Sequence, residues 1–336
     1  SYTGTDSYAT LDRMACSHGG TNEAPTQAQV DVASGTTPYT LGFRKAYKIT
    51  NGNQTSGLGA ADRLETIHNI EAQDIANSGW NYLSTSSYIT LQFWIKSSVA
   101  QNFYGRLLTS SGTDYNYPFE TGSLSANTWT KITKTIPGNS GITVDNTTGH
   151  GLRISLYLGL GTDYTGSVSL NTWAAYNSAA RVPDITSTWY TTNDATFEIT
   201  GVQLEVGSVA TDFEHRSFAQ ELALCQRYYQ LLAPAAADDI ICFGGYMATE
   251  WIGVAHLTQE MRIAPTLVVS NFTNAFRIFG NAGSFNPPTL VTDTSINTNR
   301  AIYLRAIDST NVGRAYLRVL AANSGVYATI AVQAEL

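Results

Sequence analysis

The sequence predicts an all-β protein: a jelly-roll β-sandwich, then a linking helix, then a smaller C-terminal β-domain. Three observations lead there. Charged residues are only 13% of the 336, while glycine (28) and tyrosine (19) are abundant, a composition suited to short strands joined by many turns. Apolar and polar residues alternate along most of the chain, and a convincing helical spacing comes only near residue 220. Segments such as SSGTDYNYP, PGNSG, DNTTGHG and TTND carry turn chemistry between the alternating runs. The length suits two domains of ordinary size.

Taken in order, residues 39–50 (YTLGFRKAYKIT) read as one or two strands, and residues 88–98 (YITLQFWIKSS) as a clearer one. There Ile89, Leu91, Phe93 and Ile95 share one face, and Thr90, Gln92, Trp94 and Lys96 the other. Residues 128–138, 151–161 and 195–207 repeat the half-buried pattern, the last broken at Gly201 with Phe197, Ile199, Val202, Leu204 and Val206 toward packing. Sheets with one apolar face must be covered, so residues 1–215 are expected to form two antiparallel sheets packed face to face.

After His215 the period changes. Phe218, Leu222, Cys225, Tyr229 and Leu232 recur at spacings of three and four, which predicts a helix within residues 216–234 and a buried apolar stripe. Ser217 is its N-cap, Glu221 its first-turn acid, and Pro234 its stop. Residues 235–336 again read as strands and close on an apolar alternating run, 327–336, expected to be buried. Glu214 and Arg216 fall where the sandwich gives way to the helix, and read as an interdomain joint.

A net charge of −7 and no cluster of Lys and Arg argue against nucleic acid or an anionic membrane surface as partner. No apolar run nears the roughly 20 residues of a membrane span, and the opening SYTG has no basic-then-apolar leader, so a soluble chain without membrane insertion is expected. Cys16, Cys225 and Cys242 are too scattered for a disulfide framework or a zinc site and read as free thiols.

No nucleophile-and-base set, phosphate loop or metal motif has a specific spacing, and the five histidines are dispersed. Glu65, Glu71, Glu120 and Glu198 are the candidates for a paired-carboxylate hydrolase, and each reads as a solvated surface charge. The two carboxylates of such a pair need only be close in space, and nothing in the sequence marks any pair as functional. Aromatic rings flanked by Asn, Asp and Gln suit sugar faces and hydroxyls, which makes the loop residues Tyr115, Tyr117, Trp189 and Tyr190 the carbohydrate-binding candidates. Trp94 and Trp129, inside strands, read as packing between sheets. Asp12, Asp194 and Asp212 are the oxygen donors available for a structural calcium, the one cofactor weighed.

Several segments together resemble the carbohydrate-binding-module-like β-sandwich of bacteriophage tail fibres and related virion proteins. They are YATLDRM with Leu11-Asp12-Arg13, TLQFWIKSS (90–98), NTWTKITKTIPG (127–138), FEITGVQLEVGSVATDFEHR (197–216), ELALCQRYYQ (221–230), MRIAPTLVVS (261–270) and the terminal AEL (334–336). The order of segments covers nearly the whole chain. Met14 stands where the family often has Trp, and Ser217 where Pro is common. The resemblance implies a non-enzymatic virion component, a homotrimer on a tail fibre or capsid surface, that adheres to a host cell-surface glycan and contacts other virion proteins. A decoration or capsid-fibre structural protein and a glycan depolymerase are the alternatives.

Overall fold

In the computed structural model, the described residues are 3–5, 7–11, 13–186, 188–233, 240–247, 250–270, 276–280, 283–285, 290–292, 297–307, 315–319 and 329–334. The chain divides into two compact units, the first of residues 1–215 and the second of 216–335. The fold is all-β, as expected.

The first unit holds strands β1 (Ser7–Leu11), β2 (Met14–Gly19), β3 (Thr26–Asp31), β4 (Lys45–Thr50), β5 (Arg63–Glu71), β6 (Tyr88–Ser97), β7 (Asn102–Thr109), β8 (Tyr115–Ser123), β9 (Thr130–Pro137), β10 (His150–Leu160), β11 (Ala174–Ala175) and β12 (Thr196–Val206), with short helices α1 (Thr37–Thr40) and α2 (Ala72–Ala76). They form a seven-stranded sheet, β1-β2-β5-β10-β7-β8-β11, and a five-stranded sheet, β3-β4-β12-β6-β9. All pairings within both are antiparallel. Between them lies one core, to which β6 gives Ile89, Leu91, Phe93 and Ile95, β12 gives Phe197 and Ile199, and the opposite sheet gives Leu107, Phe119, Leu156 and Leu158. The alternation of β6 thus places its apolar set inward, as the period of two requires.

β1 and β2 pair with Leu11 opposite Met14, and Arg13 stands at φ 58°. His68 of β5 fixes it by donating from Nδ1 to the Arg13 carbonyl at 2.6 Å. Burial, and secondarily the charge of Arg13, lower the pKa of His68 to about 4 against the opposing effect of that hydrogen bond, so the ring is neutral at pH 7.

At Gly201 the break expected in β12 is a bulge: the register to β6 shifts between Thr200 and Gln203, and Gly201 has φ +61°. Only glycine fits there, because an added Cβ would stand 2.6 Å from Cζ of Phe43. Val206, expected to pack, is instead exposed; it lies beyond the bulge at the strand's open end.

The second unit opens with α3 (Phe218–Gln226) and continues with β13 (Tyr229–Ala233), β14 (Ile240–Met247), β15 (Glu250–His256), β16 (Thr266–Ser270), β17 (Phe276–Gly280), β18 (Gly283–Phe285), β19 (Leu290–Thr292), β20 (Ala301–Ile307), β21 (Ala315–Val319) and β22 (Thr329–Gln333). Its sheets are three-stranded, β13-β22-β16, and seven-stranded, β18-β17-β21-β14-β15-β20-β19. Ile330 and Val332 of β22 are buried in its core with Trp251, Met261, Ile278 and Leu304, as expected of the closing run 327–336, of which residues 329–334 are described.

The helix expected within 216–234 is corrected on two counts. It begins as predicted, with Ser217 and Gln220 forming a reciprocal capping box, but it ends at Gln226. Residues 229–233 form a strand because β22 offers a long-range pairing partner, Tyr229 opposite Gln333, and a tertiary ladder overrides a weak helical preference. Nor is the stripe buried: Phe218 is 81% exposed, and Leu222 and Leu224 are also exposed. The buried Gln230 side chain secures the new geometry by donating to the Gln226 and Gln259 carbonyls and accepting from Thr258 N.

All three cysteines are free thiols; Cys16 and Cys242 are buried, and burial pushes the Cys242 thiol up to about 12.

Candidate functional site

Of the four aromatics read as loop candidates for sugar binding, Tyr115 and Tyr117 lie in β8 rather than a loop, and all but Tyr115 are buried in the core. Trp189 is 0% exposed, and Tyr190 and Tyr117 are buried beside it. Tyr115 is partly buried and packs on the same cluster. The physical cause is distant in sequence. The Asn51 amide donates to the carbonyls of Trp189, Tyr190 and Thr192 at 3.3, 2.7 and 3.0 Å. Gln101 Oε1 accepts from Trp189 N at 2.8 Å, and the indole N–H donates to the Thr196 carbonyl at 3.0 Å. With its backbone groups satisfied in this way, a polar-looking loop can bury its aromatic rings in the core. Tyr117 meets Trp173 at 5.2 Å between centroids, and Trp173 donates to the Pro137 carbonyl.

Of the proposed calcium donors, Asp12 lies outside the described residues. Asp194 and Asp212 are exposed, Asp194 at φ 58° in a turn. Among the described residues no group of three or more His, Cys, Asp and Glu is placed to hold a metal. Glu214 and Arg216 stand on either side of the unit division. The Glu214 N–H donates to Gln203 Oε1 at 2.8 Å, and Arg216 pairs with Glu221 of α3 at 3.6 Å.

Chemistry collects instead on the outer face of the seven-stranded sheet. Because partners in register share a face, β5, β10, β7 and β8 set Glu65, Tyr157, Tyr104 and Glu120 in one row and Ile67, Ser155, Arg106 and Pro118 in the next. Arg153 and Asn69 follow, hydrogen-bonded to each other at 2.8 Å. Residues 161–166 and 176–186, on either side of the edge strand β11, roof this face. Tyr157, Leu160 and Val182 pack together with Tyr104, Tyr164 and Ile185, and the Asn116 amide holds the Arg181 carbonyl at 2.8 Å.

Beneath the roof, Arg106 is 2% exposed. Its guanidinium lies over the rings of Tyr176 and Tyr157, at 5.1 and 5.8 Å. Burial alone would lower its pKa. Tyr157, Glu65 and a hydrogen bond with Tyr176 act the other way, and the pKa ends above its ordinary value, so the cation is retained. Burial, with Glu65, raises the Tyr157 phenol, which stays neutral. Arg181 stacks over Tyr164 at 4.3 Å and reaches Glu65 Oε1 at 4.0 Å. Glu65 Oε2, Arg106 Nε and Nη1, Ser155 Oγ, Tyr157 OH and Asn116 Oδ1 are buried without a hydrogen-bond partner inside the protein. Buried polar groups left this way are costly and uncommon, and here six atoms lie on neighbouring strands of one face.

The sequence reading missed Arg106, Tyr157 and Arg181 and misplaced Glu65, which is buried rather than solvated. Glu71 and Glu198 are buried too; Glu71 accepts from Gln73, and Glu198 pairs with Lys96 at 2.9 Å. The available signal was a charged residue within a largely apolar strand, as Arg106 is in NFYGRLLT; Glu65, in the polar RLETIHNIE, gave none.

The five-stranded sheet carries a second, smaller feature on its own outer face. Residues 207–215 cross it as a strap: Thr90 Oγ1 donates to the Gly207 carbonyl and Gln92 Nε2 to that of Thr211. Glu205 accepts from Thr211 N and Oγ1 at 2.9 and 2.6 Å, and His215 Nε2 donates to the Leu41 carbonyl at 2.8 Å. Partial burial acts to raise the Glu205 pKa, but the bonds from Thr211 and Gln203 and the charge of Lys131 outweigh it and hold the carboxyl below its usual range. Beside the strap is a groove of about 230 Å³ lined by Phe43, Trp94, Lys131, Asp212, Phe213 and His215. Trp94 and Trp129 therefore sit in a partly exposed outer cluster, not between the sheets.

The first unit is thus a jelly-roll β-sandwich with a polar, aromatic sheet face under a loop roof. No protein-family model matches the chain, and no curated protein does. Among solved structures it is similar to the enzymatically active domain of bacteriophage CBA120 tailspike protein 4, at 10% identity and a TM-score of 0.34, over 62% of this chain and 21% of that one. It is similar to the family 11 carbohydrate-binding module of Clostridium thermocellum, in complex with a β-1,3-1,4-mixed-linked tetrasaccharide, at 12% identity and 0.28, over 61% and 95%. A CBM22-1-CBM22-2 tandem domain from Paenibacillus barcinonensis Xyn10C is similar at 9% identity and 0.28, over 95% and 92%. The chain spans about a fifth of the tailspike domain's length. At these identities and scores, no residue role transfers to this chain.

Proposed function

We propose that this protein binds glycan without cleaving it, on the outer face of the seven-stranded sheet of its first unit. The observation that carries the reading is the set of six buried donor and acceptor atoms without partners on that face. Both kinds are present: Arg106 offers only N–H donors, Glu65 Oε2 and Asn116 Oδ1 only acceptors, and Ser155 and Tyr157 either. A polyhydroxylated ligand gives and accepts at adjacent positions, and the tyrosine rings at the rim suit its apolar faces. Residues 161–166 and 176–186 must shift to admit it. These stretches are built mainly of turns and bends, tied by an isolated bridge between Thr165 and Val182.

Against hydrolysis, Glu65 and Glu120 share one row but are three strand spacings apart, roughly 14 Å at about 4.8 Å per spacing. Paired glycosidase carboxylates stand about 5–9.5 Å apart.

More finely, the protein is a receptor-binding or tail-fibre component of a bacteriophage virion, attached to other virion proteins and adhering to host-surface glycan as a homotrimer. The order of segments shared with such proteins supports this. So do Phe218, Tyr229, Leu231 and Phe243, apolar residues exposed on the second unit that identical copies would cover. Three weak sites in one assembly gain avidity without any being tight.

The test is incubation of the purified chain with bacterial cells and with their extracted polysaccharide. Saturable binding with unchanged polymer length is expected. Shortening of the polymer would favour a depolymerase, and absence of both binding and cleavage would favour a purely structural virion role.

A further inference from the structure

We infer that the glycan taken by this face is acidic, carrying a carboxylate on the sugar; this rests on the glycan-binding reading above. Two guanidinium groups, that of Arg106 beneath the roof and that of Arg181 at its rim, share one carboxylate, Glu65, whose Oε1 is 4.0 Å from Arg181. Arg106 keeps Nε and Nη1 without a partner. The other carboxylates nearest by position are engaged elsewhere: Glu120 accepts from Asn102 Nδ2 at 2.8 Å, and Asp184, on the roof, from Thr165 Oγ1 at 2.7 Å. Arg63 and Arg153 fall on the same face of β5 and β10, so the face is rich in arginine within a chain whose net charge is −7.

Two guanidinium groups sharing one carboxylate leave a net positive charge in a buried site, which is costly, and offsetting it favours a ligand that brings a negative charge. Neutral hydroxyls would supply acceptors to Arg106 but leave the charge unmatched. A carboxylate supplies both, and charge-assisted N–H···O bonds are the stronger ones. The remaining ring hydroxyls of the same sugar reach the acceptors Glu65 Oε2 and Asn116 Oδ1. Without the arginines, the acidic chain as a whole would repel an acidic polymer.

The experiment measures binding of the full chain to immobilised polygalacturonate, hyaluronan and polysialic acid, to dextran and mannan, and to the three acidic polymers after reduction of their carboxyl groups to alcohols. The expected result is binding to at least one acidic polymer that falls tenfold or more on carboxyl reduction and weakens with added salt. Arg106→Gln is expected to abolish this preference. Because that variant removes a buried charge and can fail to fold, Arg181→Gln, at the partly exposed rim, is measured alongside, with melting curves of both. Binding to a neutral polymer, or binding indifferent to carboxyl reduction, would overturn the acidic-sugar inference and leave glycan binding standing. Binding to none of the polymers in either form would count against the glycan reading itself.

Discussion

Replacing Trp189 by alanine separates the two roles that a loop tryptophan can have. The indole is fully buried in the sandwich core and donates to the Thr196 carbonyl. Truncating a buried Trp costs about 3–5 kcal/mol, from lost transfer energy plus the cavity left behind. The turn that carries it is clamped by Asn51 and Gln101, so collapse into the cavity is restricted and the upper half of that range applies. For a unit of this size each kcal/mol moves the midpoint by about 2–4 °C, which gives a fall of roughly 8–20 °C in the first unit's melting transition. Differential scanning calorimetry measures it, and polysaccharide binding of the variant is compared well below its midpoint. Near-wild-type binding is expected from the folded fraction. An unchanged midpoint with lost binding would show that Trp189 stacks on ligand, and would refute the packing account.

Four further outcomes follow from the same geometry. Gly201→Ala adds a left-handed-region cost of about 1–2 kcal/mol to the clash with Phe43, so urea unfolding should show a loss of at least that size. For His68, the folded pKa of about 4 lies below the ordinary 6.5. Its contribution is therefore complete above pH 6.5 and lost as pH falls toward 4, and the wild-type melting temperature should drop through that window more than that of His68→Asn. Glu205→Gln should loosen the 207–215 strap, at a cost of about 1–2 kcal/mol for the charged hydrogen bonds from Thr211, and quicken proteolysis within it; equal cleavage rates would contradict the strap's anchoring. Mass measurement in solution should give three chains, and a stable monomer would remove the trimer.

Much of the architecture was legible because it is written in short-range periodicity. The alternation in β6 located its inward face, and the Gly201 interruption located a bulge. What failed was decided by partners far along the chain. Residues 229–233 fit a helical stripe as well as a strand until Thr329–Gln333 is available to pair with them. The candidate site was less legible for the same reason. Trp189 and Tyr190 sit in a stretch of Ser, Thr, Asn and Asp that reads as solvent-facing, and it is Asn51 and Gln101, both far earlier in the chain, that satisfy the backbone groups and let them be buried. Arg106, Glu65 and Tyr157 come from three segments that the sheet alone makes neighbours, and no spacing rule within one segment could have joined them.

The most direct test of the central claim is a hydrogen-exchange footprint of the chain with and without a polysaccharide that it binds. The account predicts slowed exchange in residues 104–107, 154–158, 161–166 and 176–186, on the seven-stranded sheet and its roof. Protection confined to the Trp94 groove and residues 207–215, or to the second unit, would contradict it.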